Sequence, residues 1–328
     1  MKRILVTGAA GQVGSELVPE LRRIYGNSNV LATDIHVPDE PDGPYERLDC
    51  MDAAAISAAV RTHKPDTIYH LAALLSATAE RDPQRAYTIN MSTLINVLEA
   101  AREQQCAVFT PSSIGAFGPS TPKDPTPQDT LQRPSTMYGV TKVAGELLCD
   151  YYHTRFGVDT RGLRYPGLIS YVAPPGGGTT DYSVHIFYEA LQSHRYTCFL
   201  AAETQLDMMY MPDAVRASIE IMEADDARLK HRNAFNVTAM QLTPASLAAM
   251  IRERLPDFTI SYDVDPVRQR IADSWPKRLD DSAARSEWGW KPRYDAGAMV
   301  DDMLEKLAAK LGTTLGDDMR ALKLNEKP

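Results

Sequence analysis

Tyr138 and Lys142 stand four residues apart in the stretch MYGVTK. On a helix, positions i and i+4 share a face, so a phenol and an ammonium would lie side by side. A free phenol ionises at a pH of about 10. An ammonium at roughly 5 Å, at an effective dielectric near 20, favours the phenolate by about 3 kcal/mol, or about two pKa units. That would bring the phenol towards working pH, where a general base is useful. The spacing alone is common on solvated helix faces. Ser112 and Ser113 add weight, because they close the strand-like run AVFTPSS one element earlier. A hydroxyl there can steer a substrate alcohol onto Tyr138.

Such groups need a scaffold. RILVTG (3–8), NVLATD (29–34), DTIYHLAA (66–73), AVFTPSS (107–113) and DTRGLRYPG read as five strands. Between them GSELVPELRRIYG, DAAAISAAVRTHKP, INMSTLINVLEAAREQQ and YGVTKVAGELLCDYYHTRFG read as helices. Strand–helix repeats with crossovers this long predict an α/β protein with a Rossmann-type, doubly wound parallel sheet. After Gly167 the alternation loosens into the Pro- and Gly-rich VAPPGGGTTDYS and then a mixture of helical and strand-like pieces. This predicts a smaller mixed α/β substrate lobe. The expected division is 1–167 for the cofactor domain, with 206–240 returning to it, 168–205 and 241–310 for the lobe, and 311–328 as a C-terminal tail.

The first strand runs into VTGAAGQVGSEL, with Gly8, Gly11 and Gly14 at three-residue intervals around Gln12 and Val13. Glycines there let backbone N–H groups approach a pyrophosphate, which then meets the positive end of the following helix. Asp34 ends the second strand 20 residues after Gly14 and is followed by Ile35. A carboxylate at that place accepts from both ribose hydroxyls and repels a 2′-phosphate, so NAD is expected rather than NADP. Asp49 and Cys50, in RLDCMD, fall where the adenine edge would lie. Leu71, Ala72 and Ala73 close the third strand with residues small enough for a cofactor to lie against the backbone.

The totals exclude several classes. The net charge of -8, with no basic block, argues against an extended nucleic-acid surface. The apolar runs are too short and mixed to span a bilayer, and no secretory leader is expected from MKRILVTGAAG. Cys50, Cys106, Cys149 and Cys198 form no CxxC pair, and the seven histidines show no metal-ligand spacing. No metal is expected, and the thiols point to a reducing cytoplasmic setting.

Together TGAAGQVG, Asp34, HLAA, SSIGAFG, YGVTK, RYPG and LDMMYMPDAV resemble the extended short-chain dehydrogenase/reductase superfamily over nearly the whole chain. The resemblance implies Tyr138 as base, Lys142 as its partner and Ser113, 25 residues before Tyr138, as the substrate-orienting hydroxyl. It implies Asn90 as a support near the lysine, and Tyr165, Pro166 and Leu168 beside the nicotinamide. It also implies a homodimer through the helices of 92–105 and 138–156, to which Met91, Leu94, Leu98, Leu147 and Leu148 are available.

Nucleotide-sugar members of that superfamily carry an asparagine after the fifth strand and an arginine ahead of the later conserved segment. Here LRYPGLIS and LDMMYM have neither, and Leu206 takes the arginine's place. A diphosphate needs donors, so a small substrate without phosphate is expected. SSIGAFGP, RYPGLISYVAPPGGGTTDY and DSWPKRLDDSAARSEWGWKP are similar to the threonine-oxidising branch. That similarity implies NAD-dependent oxidation at the β-carbon, with Ser76, Thr179, Thr180, Asp181 and Trp275 shaping the amino-acid site, and Trp288 and Trp290 in the core. The competing readings are a nucleotide-sugar epimerase or dehydratase, and an NAD-sensing protein without catalysis.

Overall fold

The computed structural model describes residues 1–174 and 178–313. Six strands open the chain: β1 (Ile4–Thr7), β2 (Val30–Asp34), β3 (Tyr45–Arg47), β4 (Thr67–His70), β5 (Ala107–Ser113) and β6 (Thr160–Tyr165). They are interleaved with α1 (Gly14–Tyr25), α2 (Ala53–His63), α3 (Ser76–Arg81), α4 (Pro83–Gln104) and α5 (Met137–Phe156). The middle of the chain holds β7 (Gly167–Ile169), α6 (Tyr182–Gln192), β8 (Arg195–Cys198), β9 (Leu206–Tyr210), α7 (Met211–Glu223) and β10 (Phe235–Asn236). It closes with β11 (Met240–Leu242), α8 (Pro244–Arg254), β12 (Thr259–Tyr262), α9 (Pro266–Ser274), α10 (Ser282–Trp288) and α11 (Ala296–Leu311).

The main sheet has seven parallel strands in the order β10-β6-β5-β4-β1-β2-β3. β1 (ILVT) and β4 (TIYH) are buried along their whole length, because helices cover both faces. One face packs Leu17, Val18 and Leu21 of α1 with Ala214 and Ile221 of α7. The other packs Ile56 and Val60 of α2, Leu94 and Leu98 of α4, and Tyr152 of α5. Each such buried aliphatic contributes about 1.5–3 kcal/mol.

A second core fills the lobe, where α6, α8 and α11 pack around Phe187, Tyr182, Leu247 and Met303. A three-stranded sheet, β11-β9-β7, joins the two parts. Leu206–Tyr210 therefore sits in this second sheet and not in the first, while α7 and β10 pack on the main sheet. Trp290 is fully buried and Trp288 packs against the same core. Of the expected tail, residues 314–328 lie outside the described residues, as do Pro175, Gly176 and Gly177 of the glycine-rich loop.

Candidate active site

A cleft of about 420 Å³ opens where β1, β4, β5 and β6 end against the lobe. This is the usual place for ligands in an open α/β sheet. Gly8, Gly11, Gln12, Val13 and Gly14 line it from the turn between β1 and α1. Leu71 and Ala73 line it after β4, and Tyr165, Pro166 and Leu168 where β6 passes into β7. Ser113, Tyr138 and Lys142 meet at its centre. Thr179, Thr180, Asp181 and Trp275 line it from the lobe, and Ser76 from the start of α3.

The glycine turn is shaped for close approach. Gly8 has φ +69°, and a Cβ there would sit 2.6 Å from the Ala72 nitrogen. A Cβ on Gly14 would sit 2.4 Å from the Gly8 carbonyl oxygen. Val13 holds the N-cap position of α1 and caps nothing with its side chain. Apolar residues are poor caps; the Ser15 and Glu16 N–H groups are bonded to the Gly11 and Val13 carbonyls, so it is the positive end of the helix that suits an anion. Asp34 accepts from the Ala10 N–H at 3.1 Å, which brings its carboxylate to the rim of the turn. An uncapped helix terminus, a turn with no room for side chains and a rim carboxylate fit the pyrophosphate and ribose of NAD.

Tyr138 and Lys142 lie in the first turns of α5. Thr136 caps this helix by accepting from the Gly139 N–H at 3.1 Å, and Glu80 of α3 accepts from the Met137 N–H at 2.7 Å. Lys142 Nζ lies 5.4 Å from the Tyr138 ring centroid and donates to the Pro111 carbonyl at 2.7 Å. Burial pushes the phenol up to about 12, and a hydrogen bond with Ser113 only partly opposes that rise. Burial also pulls the Lys142 ammonium down to about 8, with Glu146 and then Cys149 opposing. Desolvation is the largest influence on both groups.

Several expected cofactor residues lie off the cleft. Asp49 is exposed, and its carboxylate accepts from the Met51 N–H at 2.9 Å. The Cys50 side chain is buried in the core beneath α2. Ile35 is exposed beyond the end of β2. Asn90 clamps the loop after β4: its Oδ1 accepts from the Leu74 N–H at 2.7 Å, and its Nδ2 donates to Thr141 Oγ1 at 3.2 Å. Asn90 and Ala72 line a separate chamber of about 40 Å³ behind Lys142. The sequence reading passed over Leu75, Pro111, Ile114 and Pro174, all of which line the main cleft. Leu75 and Pro111 each neighbour a serine already singled out, the one signal that was available.

The lobe wall is tight at Gly167. In the β7–β9 register Gly167 pairs with Met208. A Cβ at 167 would meet Met208 Sδ at 2.4 Å and Thr180 Cγ2 at 2.8 Å. An asparagine there would require Met208 and Thr180 to move aside.

The chain belongs to the NAD dependent epimerase/dehydratase family, of extended short-chain type, whose pattern matches residues 4–238. It is 57% identical to an L-threonine dehydrogenase of Clostridium difficile of known structure, with a TM-score of 0.93 over 94% of this chain and 98% of that one. An uncharacterized epimerase/dehydratase of Staphylococcus saprophyticus is 56% identical over 94% of this chain and 98% of its own length. A monomeric L-threonine 3-dehydrogenase from a metagenome is 42% identical, with a TM-score of 0.91 over 94% and 99% of the two chains.

Proposed function

We propose that the protein oxidises the β-hydroxyl of L-threonine to 2-amino-3-oxobutanoate. The observation that carries this reading is the meeting of Ser113, Tyr138 and Lys142 with Thr179, Thr180 and Asp181 across one cleft, in a chain 57% identical to an L-threonine dehydrogenase. Gly8, Gly11 and Gly14 would hold the cofactor's pyrophosphate and Asp34 its ribose. NAD bound there supplies a hydride acceptor. Ser113 holds the substrate hydroxyl, and Tyr138 takes its proton once the Lys142 ammonium and the positive ring of bound NAD favour the phenolate against the burial that raises it. Lys142 keeps a positive charge beside that phenolate. Thr179 and Thr180 present hydroxyls to the carboxylate, and Asp181 draws the ammonium.

A nucleotide-sugar substrate suits this cleft poorly, because Met208 and Thr180 fill the space beside Gly167. The test is to mix the protein with NAD and separately with L-threonine, L-serine and sugar nucleotides. Near-ultraviolet absorbance of reduced nicotinamide with L-threonine is expected. Turnover of a sugar nucleotide alone would replace this reading by the epimerase one. NAD binding without any turnover would favour a sensing role.

The same reading includes a homodimer. Leu94 and Leu98 are buried in the subunit's own core and are not available to a partner. Ile95, Val140, Leu147 and Tyr151 of α4 and α5 are exposed apolar residues that suit such a contact. Sedimentation of wild type and Leu147→Glu would decide it, with the variant expected as the smaller species. A wild type that sediments as a monomer, like the metagenome relative, would remove the dimer.

A further inference from the structure

Glu146 lies one helical turn beyond Lys142 on α5 and is buried. Its pairing is complete. Arg164 of β6 donates from Nε to both carboxylate oxygens at 3.0 and 3.2 Å, and from Nη2 at 2.8 Å. Gln132 donates to Oε2 at 2.8 Å, and the Ser112 hydroxyl donates to Oε1. Arg164 also donates from Nη1 to the Gln128 carbonyl at 2.8 Å and to Asn236 Oδ1 at 3.1 Å. Its guanidinium lies 5.2 Å from the Phe117 ring centroid.

A buried ion pair is a weak source of stability, since an apolar replacement of similar volume is often as good. Its value here lies in what it connects. Ser112 is the chain neighbour of Ser113 at the end of β5. Gln128 and Gln132 belong to the segment that leads into Tyr138. Lys142 stands on the same helix face as Glu146. We propose that Glu146, held by Arg164, is a positioning residue that locks the Ser113 strand end, the entry to the Tyr138 helix and the Lys142 ammonium into one arrangement. The chemistry it serves rests on the dehydrogenase reading above.

The groups facing Lys142 single out Glu146. Tyr138, Glu146 and Cys149 come from α5 and His70 from β4, and Nζ is bonded to the Pro111 carbonyl of β5. Burial holds His70 down to about 3 and pushes the Cys149 thiol up to about 12, so both are neutral near pH 7. Arg164 acts on the lysine from β6 only across Glu146. Among these described groups Glu146 is the anion that keeps the ammonium charged. Without it Lys142 must lose its proton at lower pH.

The test combines a direct titration of Lys142 with pH–rate profiles. Lysine labelled with carbon-13 at Cε reports ionisation by NMR, assigned by Lys142→Met. In Glu146→Gln the Lys142 titration should fall by on the order of one pH unit. The descending limb of kcat/KM should move with it, and kcat near neutrality should drop about tenfold or more. Glu146→Asp, which keeps the charge, should recover most of the titration. The double variant E146L/R164M should regain much of the thermal midpoint but neither the titration nor the rate. An unchanged Lys142 titration in Glu146→Gln would overturn the proposal. So would a double variant whose rate returns together with its thermal midpoint. The titration needs no substrate, so it decides the matter even if L-threonine is not turned over.

Discussion

The two walls of the cleft are built from different materials. The cofactor wall is backbone: a glycine turn, the end of β4 and the bend between β6 and β7. The opposite wall is side chains: Ser76 at the start of α3 on the cofactor side, and Thr179, Thr180, Asp181 and Trp275 of the lobe, on a turn and the end of α9. A backbone surface is fixed by the sheet and is damaged by adding atoms. A side-chain surface is damaged by removing them. Ser113, Tyr138 and Lys142, the proposed catalytic trio, lie between, on β5 and α5.

Tyr138→Phe tests that middle ground and should have the largest effect. Turnover should fall by about 1,000-fold, in the range of general acid–base contributions. The Kd for NAD, followed by fluorescence, should stay within about twofold, since hydroxyl loss leaves the ring's packing in place. A near-normal rate would take the phenol out of the reaction.

Gly14→Ala attacks the backbone wall. Its new methyl meets the Gly8 carbonyl, an overpacking cost of about 2 kcal/mol. Where the turn shifts to relieve that contact, NAD affinity should weaken by about tenfold, the loss of roughly one charge-assisted hydrogen bond, while KM for the amino acid at saturating NAD stays nearly level. Asp181→Asn attacks the side-chain wall in the opposite sense. Removing one charge-assisted contact should raise KM for L-threonine about tenfold, with the Kd for NAD unchanged. If both substitutions altered both ligands alike, the division of the cleft into two walls would be wrong.

The smallest effect is expected at the joint between the walls. Glu16 of α1 accepts from the Ser170 hydroxyl just beyond β7. Burial raises its carboxyl to about 7, against the Ser170 hydrogen bond and the Lys310 charge. A raised carboxyl pKa means that the folded state holds a proton the unfolded chain has released. Its stability contribution is present at low pH and is lost as pH rises from the unfolded value of 4.5 to about 7. Glu16→Gln should therefore raise the thermal midpoint above pH 7, with the gain vanishing towards pH 4.5. A gain that is equal at all pH values would mean that Glu16 is ionised throughout.

The sequence displayed the local parts of this design well. The glycine spacing, Asp34 and the Tyr138–Lys142 pair are short-range patterns, and their elements follow from apolar periodicity. Burial is not local. The phenol's upward shift and the lysine's downward shift arise from walls contributed by β4, β5, β6 and the lobe. Ala72 sits between two cleft residues yet lines the rear chamber, Asn90 clamps the loop after β4, and Cys50 is buried in the core. Glu146 was invisible as a partner because Arg164, Gln132 and Ser112 approach it from 14 to 34 residues away.

Crowding around Gly167 also limits how this wall can change. A methyl added at 167 would press on the Met208 sulfur and the Thr180 methyl. Both are the far ends of side chains, so they would have to swing aside before a larger residue could settle there. A shorter residue at 208 is the simplest companion change that would make that room.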